Sequence, residues 1–164
     1  MYLSNVDILK ALDEGELTIS PFNESLLGPT SIDLRLSKHI AIYEEGIIKI
    51  NKECPALIHK EIPNSGYTIQ PGGFVLGATI EHVQISNGFQ AFVETRGNAA
   101  RAGLQVHNAD SHIDPGTNHH ITLEIKNQNT IPITIYSGIS ICQLYIAMLA
   151  TPTSQPYCEC EHGI

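Results

Sequence analysis

The sequence predicts a mainly β domain, an antiparallel sandwich or barrel-like roll with one short N-terminal helix and one short central helix. Helical patterning is confined to residues 4–15 and to an Ala-rich octet at 97–104, while the rest of the chain is short β-rich runs punctuated by Gly, Pro and Asn. The length, 164 residues, suits one core that removes roughly 70% of the unfolded surface from water. One domain is therefore expected over residues 1–157, with residues 158–164 as a disordered tail.

In chain order, "SNVDILKALDEG" reads as a helix. Ser4 can cap it with Asp7 three residues on, Val6, Leu9 and Leu12 supply an apolar stripe, and Gly15 stops it. The expected strands are "LTIS", "SIDLRL", "HIAIY", "IIKI", "YTIQ", "FVLGATI", "FQAFV", "HITLEI", "PITIY" and "ISICQLYIAML". Between the seventh and eighth lies "GNAARAGL", a helix of one or two turns with Asn98 as its expected cap and Gly103 as its stop. A helix opening just after Arg96 would aim unpaired N–H groups where that arginine points, which suits a phosphate; a connector with a solvated arginine at each end fits the same spacing.

Net charge is −8, so the overall field repels nucleic acid and anionic membranes, and neither is expected as a partner. No run approaches the 18 apolar residues of a membrane span, and "MYLSNVDILK" lacks the order of a signal peptide, which points to the cytoplasm. No basic residue follows Lys126. The four cysteines form no disulfide framework, and the terminal Cys158, Cys160 and His162 lack the C-x2-C spacing of a zinc site.

Chemistry-bearing residues crowd into 93–125. Alternation in "HITLEI" places Ile121, Leu123 and Ile125 on one face and Thr122, Glu124 and Lys126 on the other, so Glu124 either meets solvent or lines a pocket. "HIDPGT" reads as a turn, with Pro115 at its second and Gly116 at its third position, and as a hairpin that brings Asp114 and Glu124 into neighbouring strands. The histidines His107, His112, His119 and His120 lack the i, i+4 pattern of a zinc pair, so no direct protein ligation of a metal is expected.

The segments "SIDLRL", "FVLGATIE", "ARAGLQVH", "HIDPG", "HITLEI" and "SGISICQLYI", in this order, resemble the dCTP deaminases, relatives of the trimeric dUTPases. The resemblance implies a dUTPase-like distorted β-barrel or jelly-roll, assembled as a homotrimer with nucleotide sites between subunits. It implies removal of the 4-amino group of a deoxycytidine nucleotide, dCTP to dUTP plus ammonia, with deoxycytidine or deoxyuridine nucleotides as ligands. In that pattern Glu124 matches the glutamate that shuttles protons and Arg101 the arginine that positions it. Arg96 matches a phosphate contact, with Asn98 beside it, and Asp114 matches an acid that directs water with magnesium nearby. Gly97, His107, Asp110, Thr117 and Gln143 fall at further substrate-binding positions. Deamination would need no cofactor, and Mg2+ would accompany the phosphates.

The chain departs from that family on the ligand side. "RGNAAR" stands where the family has R-S-S-L-A-R, Thr117 stands where an aromatic follows I-D-P-G, Asp110 stands where alanine is usual, and the lysine- and glutamine-bearing tail is missing. Two other readings therefore accompany deamination: a non-catalytic trimer that senses nucleotides or binds a protein, and a dUTP diphosphatase.

Overall fold

The computed structural model describes residues 1–50, 52–108 and 110–157. The terminal cysteines, His162 and the expected tail lie outside them.

The first helix, α1, spans Asn5–Asp13. Ser4 Oγ accepts from Asp7 N–H, and Asp7 reaches back to Ser4 N–H, so the reciprocal cap read from the sequence is formed. These hydrogen bonds, the side-chain one from Ser4 first, hold the Asp7 carboxyl below the usual carboxylate range. The expected apolar stripe is rotated. Ile8 and Ala11 are buried and Leu12 half-buried, whereas Val6 is 68% exposed and Leu9 37%. Ile8, Ala11 and Leu12 share a face at i, i+3 and i+4, and small Ala11 lets the helix approach closely.

The strands are β1 (Leu17–Ser20), β2 (Ile32–Tyr43), β3 (Leu57–Glu61), β4 (Tyr67–Ile69), β5 (Phe74–Ile85), β6 (Phe89–Thr95), β7 (Leu104–Gln105), β8 (His112–Ile113), β9 (Asn118–Asn127), β10 (Ile133–Ile135) and β11 (Ser140–Met148). Helix α2 (Gly97–Arg101) follows β6. Two expected strands, "SIDLRL" and "HIAIY", merge into β2. Another, "IIKI", is not formed: Lys49 bridges only to Glu53, and Ile47 and Ile50 are almost fully exposed. In its place β3 pairs with β2, although its five residues are all exposed and so carry no alternating burial.

The hydrogen-bonded path runs β7-β9-β5-β2-β11-β6-β8, with β1 on β5 and β3 on β2, and curls into a half-barrel; β10 and β4 form a separate pair. Every pairing is antiparallel. The curl encloses Leu34, Leu36, Val83, Leu123, Ile141 and Leu144, all essentially inaccessible. At about 2 kcal/mol per large apolar side chain, this inward row is the main favourable term in the fold.

Strand β2 divides its length between two partners. Its residues 32–35 pair with β11, and from Leu36 onward it pairs with β5, with a register shift between Leu36 and Ile40. At the hand-over Arg35 N–H donates to Glu81 Oε2 at 2.8 Å and Arg35 Nε donates to Glu81 Oε1 at 2.6 Å. Glu81 is 1% exposed. Its carboxylate thus takes the place of a ladder partner where the strand changes partners.

Candidate functional site

Outward-facing residues of β2, β11 and β6 form one row, because Gln143 is the register partner of both Asp33 and Glu94. Each is flanked by buried apolar neighbours, such as Leu34, Leu144 and Val93, so alternation leaves these polar side chains on the outer face. Arg96, at the end of β6, donates from Nε to Asp33 Oδ2 at 2.6 Å, and Gln143 Nε2 donates to Asp33 Oδ1 at 3.0 Å. Asp33 therefore fixes both an arginine and an amide. Only one guanidinium edge is used in that contact, and the Arg96 side chain is 38% exposed, so the rest of the fork can bind an anion.

Arg96 is also the residue that opens α2, and it makes no side-chain cap. Asn98 is not the cap expected of it: it lies inside the helix, with Oδ1 accepting from Ala99 N–H. Gly103, at φ +85°, ends the turn as expected. The Arg101 guanidinium folds back over Gly97, where a Cβ would sit 3.3 Å from Arg101 Nη1.

Glu124 lies on the outer face of β9, half-buried, opposite Leu76 of β5. Its Oε2 accepts from Asn108 N–H at 2.9 Å. The segment before Asn108 is tied to β6: Val106 N–H donates to Thr95 Oγ1 at 3.1 Å, and His107 Nε2 lies 3.0 Å from Glu94 Oε2. The Arg96 cluster and Glu124 are thus joined through residues 106–108. Tyr43 is electrostatically close as well. Its hydroxyl is pushed up by burial first, then by a hydrogen bond with Cys54 and by the charges of Cys54 and Glu124.

Of the residues expected from sequence, Arg96, His107, Gln143 and Glu124 fall into this connected region. Arg101 and Gly97 sit on the adjoining helix, and among the described residues no ion pair includes Arg101. The expected hairpin between Asp114 and Glu124 is not formed. After β7 pairs with β9, the chain crosses to the other edge, where β8 pairs with β6 through Ala91 and Ile113. The turn itself is as expected, with Gly116 at φ +91° and Thr117 N–H donating to Asp114 O. Asp114 is exposed beside it. Two further expectations shift. Thr117 is 3% exposed, so its side chain is sealed in the fold instead of facing a ligand. Asp110, expected at a substrate-binding position, is exposed and accepts from the His112 backbone N–H at 3.1 Å.

Asp33 was missed by the sequence reading, and Glu94, one of the carboxylates in the 93–125 run, was given no role. The signal for Asp33 was present in "SIDLRL", where alternation sets it opposite Ile32, Leu34 and Leu36. Among the described residues no group of three or more His, Cys, Asp or Glu side chains could hold a metal. No described helix is long and apolar enough to cross a membrane.

Comparisons with known proteins bear on this geometry. Residues 2–149 match the family described as dCTP deaminase-like. A protein of Sulfurihydrogenibium sp. named "dCTP deaminase, dUMP-forming" is 39% identical over 96% of this chain and 89% of its own length. One of the same name from Corynebacterium efficiens is 33% identical over 96% and 84%. Among solved structures, the 2'-deoxycytidine 5'-triphosphate deaminase of Agrobacterium tumefaciens aligns with a TM-score of 0.68 at 16% identity, over 88% of this chain. This chain spans about half of that longer one, 47%. The dUTPase of Streptococcus mutans aligns at 0.51 with 16% identity, over 84% and 98%. The structural likenesses establish a dUTPase-like fold.

Proposed function

From the premise that this chain belongs to the dCTP deaminase-like family, we propose that it deaminates dCTP and carries the product on to dUMP. Overall, dCTP and two waters give dUMP, pyrophosphate and ammonia. The sequence resemblance alone led to dUTP as the end product; the relatives' names, which specify dUMP, move the reading one hydrolysis further.

The observation that carries the proposal is the half-buried Glu124 carboxylate, oriented by Asn108 N–H and joined through residues 106–108 to the Arg96–Asp33–Gln143 cluster. Glu124 takes a proton as water adds to C4, then returns it to the amino group so that ammonia can leave. The Asn108 N–H, donating to Oε2, fixes the direction in which the carboxylate is held. Arg96, held by Asp33, supplies positive charge for a phosphate, which a molecule of net charge −8 must provide locally. Arg101 is placed as a further cation, and Asp114 as the acid directing water in the second hydrolysis. Mg2+ would enter with the nucleotide's phosphates. In keeping with the family resemblance, we place the complete site between subunits of a homotrimer, in the cytoplasm.

Ammonia and pyrophosphate should be assayed separately with dCTP, dCMP, dCDP and dUTP. Glu124→Gln keeps the shape but cannot take the proton, and is expected to lower ammonia release at least about a thousandfold. Nucleotide binding without ammonia from any cytosine nucleotide would instead favour the non-catalytic reading. Pyrophosphate from dUTP alone would favour the diphosphatase.

A further inference from the structure

We infer that Glu94 is a positioning residue for this reaction: through the His107 imidazole it holds the segment whose Asn108 N–H orients Glu124. The inference rests on the proposed function for its catalytic part and on geometry for its structural part. A carboxylate only accepts, so at 3.0 Å the His107 Nε2–H donates to Glu94 Oε2. Next along the chain, Asn108 N–H donates to Glu124 at 2.9 Å. Two consecutive residues therefore connect a carboxylate on β6 to a carboxylate on β9, strands that are not neighbours in the sheet. Further ties hold the chain around this segment: Val106 N–H to Thr95 Oγ1, Gln105 Nε2 to Asn108 O at 3.3 Å, and Gln128 Nε2 to Gln105 Oε1. Of these ties, the imidazole contact is the one that reaches from the His107 side chain to β6.

Glu94 is well placed to be the fixed end of this linkage. It sits in the ladder opposite Gln143, whose amide is held by Asp33. Beside it is an opening of about 400 Å³ lined by Tyr2, Thr30, Phe92 and Tyr145. The Glu94 side chain is 53% exposed and the His107 side chain 22%. A surface carboxylate has no packing role there that would explain its orientation toward a more buried imidazole. Its removal should leave the fold intact and free the loop.

The test compares Glu94→Ala, Glu94→Gln, His107→Ala and the double Ala variant, reading kcat and KM for ammonia release and hydrogen exchange at the Asn108 amide. Glu94→Ala is expected to lower kcat about tenfold with KM unchanged and to speed Asn108 exchange about tenfold, the size of one lost hydrogen bond. Glu94→Gln, whose amide oxygen still accepts from the imidazole, should restore both to within about twofold. The double variant should be no slower than His107→Ala alone. Wild-type exchange in Glu94→Ala overturns the inference, as do multiplying defects in the double variant. If the unmutated protein releases no ammonia from any nucleotide while Glu94→Ala still speeds exchange, the proposed function fails and the loop-holding role of Glu94 stands.

Discussion

Glu81 shows how much of this fold can rest on a single side chain. Both of its oxygens are used by Arg35, one by the backbone and one by the guanidinium, and it is 1% exposed. Its charge, with that of Asp33, adds to burial in pushing the neighbouring Cys142 thiol well above the ordinary cysteine range. Glu81→Ala leaves a partly buried guanidinium and a backbone donor without acceptors, and should cost about 3 kcal/mol, roughly 10 °C of melting temperature by calorimetry. The sequence made some residues of this kind legible and others not. Glu124 was readable because a clean alternation put it opposite three core residues. Glu81 was not: it occupies an inward position in an alternation otherwise made of Val, Gly, Thr and Ile, and the tertiary partner Arg35 makes that position tenable. Thr117 was misread for the opposite reason, since a polar residue after a turn gave no sign of being sealed.

At the scale of elements, the ends of helices and the turns were the most legible features, because their chemistry is local. The Ser4–Asp7 cap, the Gly15 and Gly103 stops and the Pro115–Gly116 turn all formed where the residues indicated. Pairing was less so. The strand β8 was expected beside β9 and lies beside β6, a choice made by distant backbone at Ala91 and Phe92 that no local pattern records. Strand β3 was missed because it has no buried face to impose a period of two. Helix α2 shows how a local stop can serve a distant contact. Gly103 has φ +85°, and a Cβ there would lie 2.9 Å from Asn129 Cβ, while Asn129 Nδ2 donates to Ala102 O. Gly103→Ala should therefore cost about 2 kcal/mol, read as a lowered denaturant midpoint. Arg101 would shift with the turn.

The whole molecule carries its apolar surplus in groups. Ile47, Ile48 and Ile50 lie together in one loop, and Ile131, Tyr136 and Ile139 flank β10, all of them exposed. Surfaces of this kind suit burial against further copies of the chain. Sedimentation equilibrium should give a mass about three times the chain's 17.9 kDa, in keeping with the proposed trimer; a monomer at assay concentrations would remove the inter-subunit site. The charge of the molecule is distributed as unevenly as its apolar surface. With Gly97 bare, the ground beneath Arg101 is held by a cation that owns hydrogens and no lone pair. The Asn98 amide oxygen beside it is already spoken for by Ala99 N–H. That stretch of backbone can soothe an anion but has nothing with which to receive a hydrogen ion. In the proposed deamination, therefore, α2 contributes attraction alone, and the acceptance of the proton is left to Glu124 on β9.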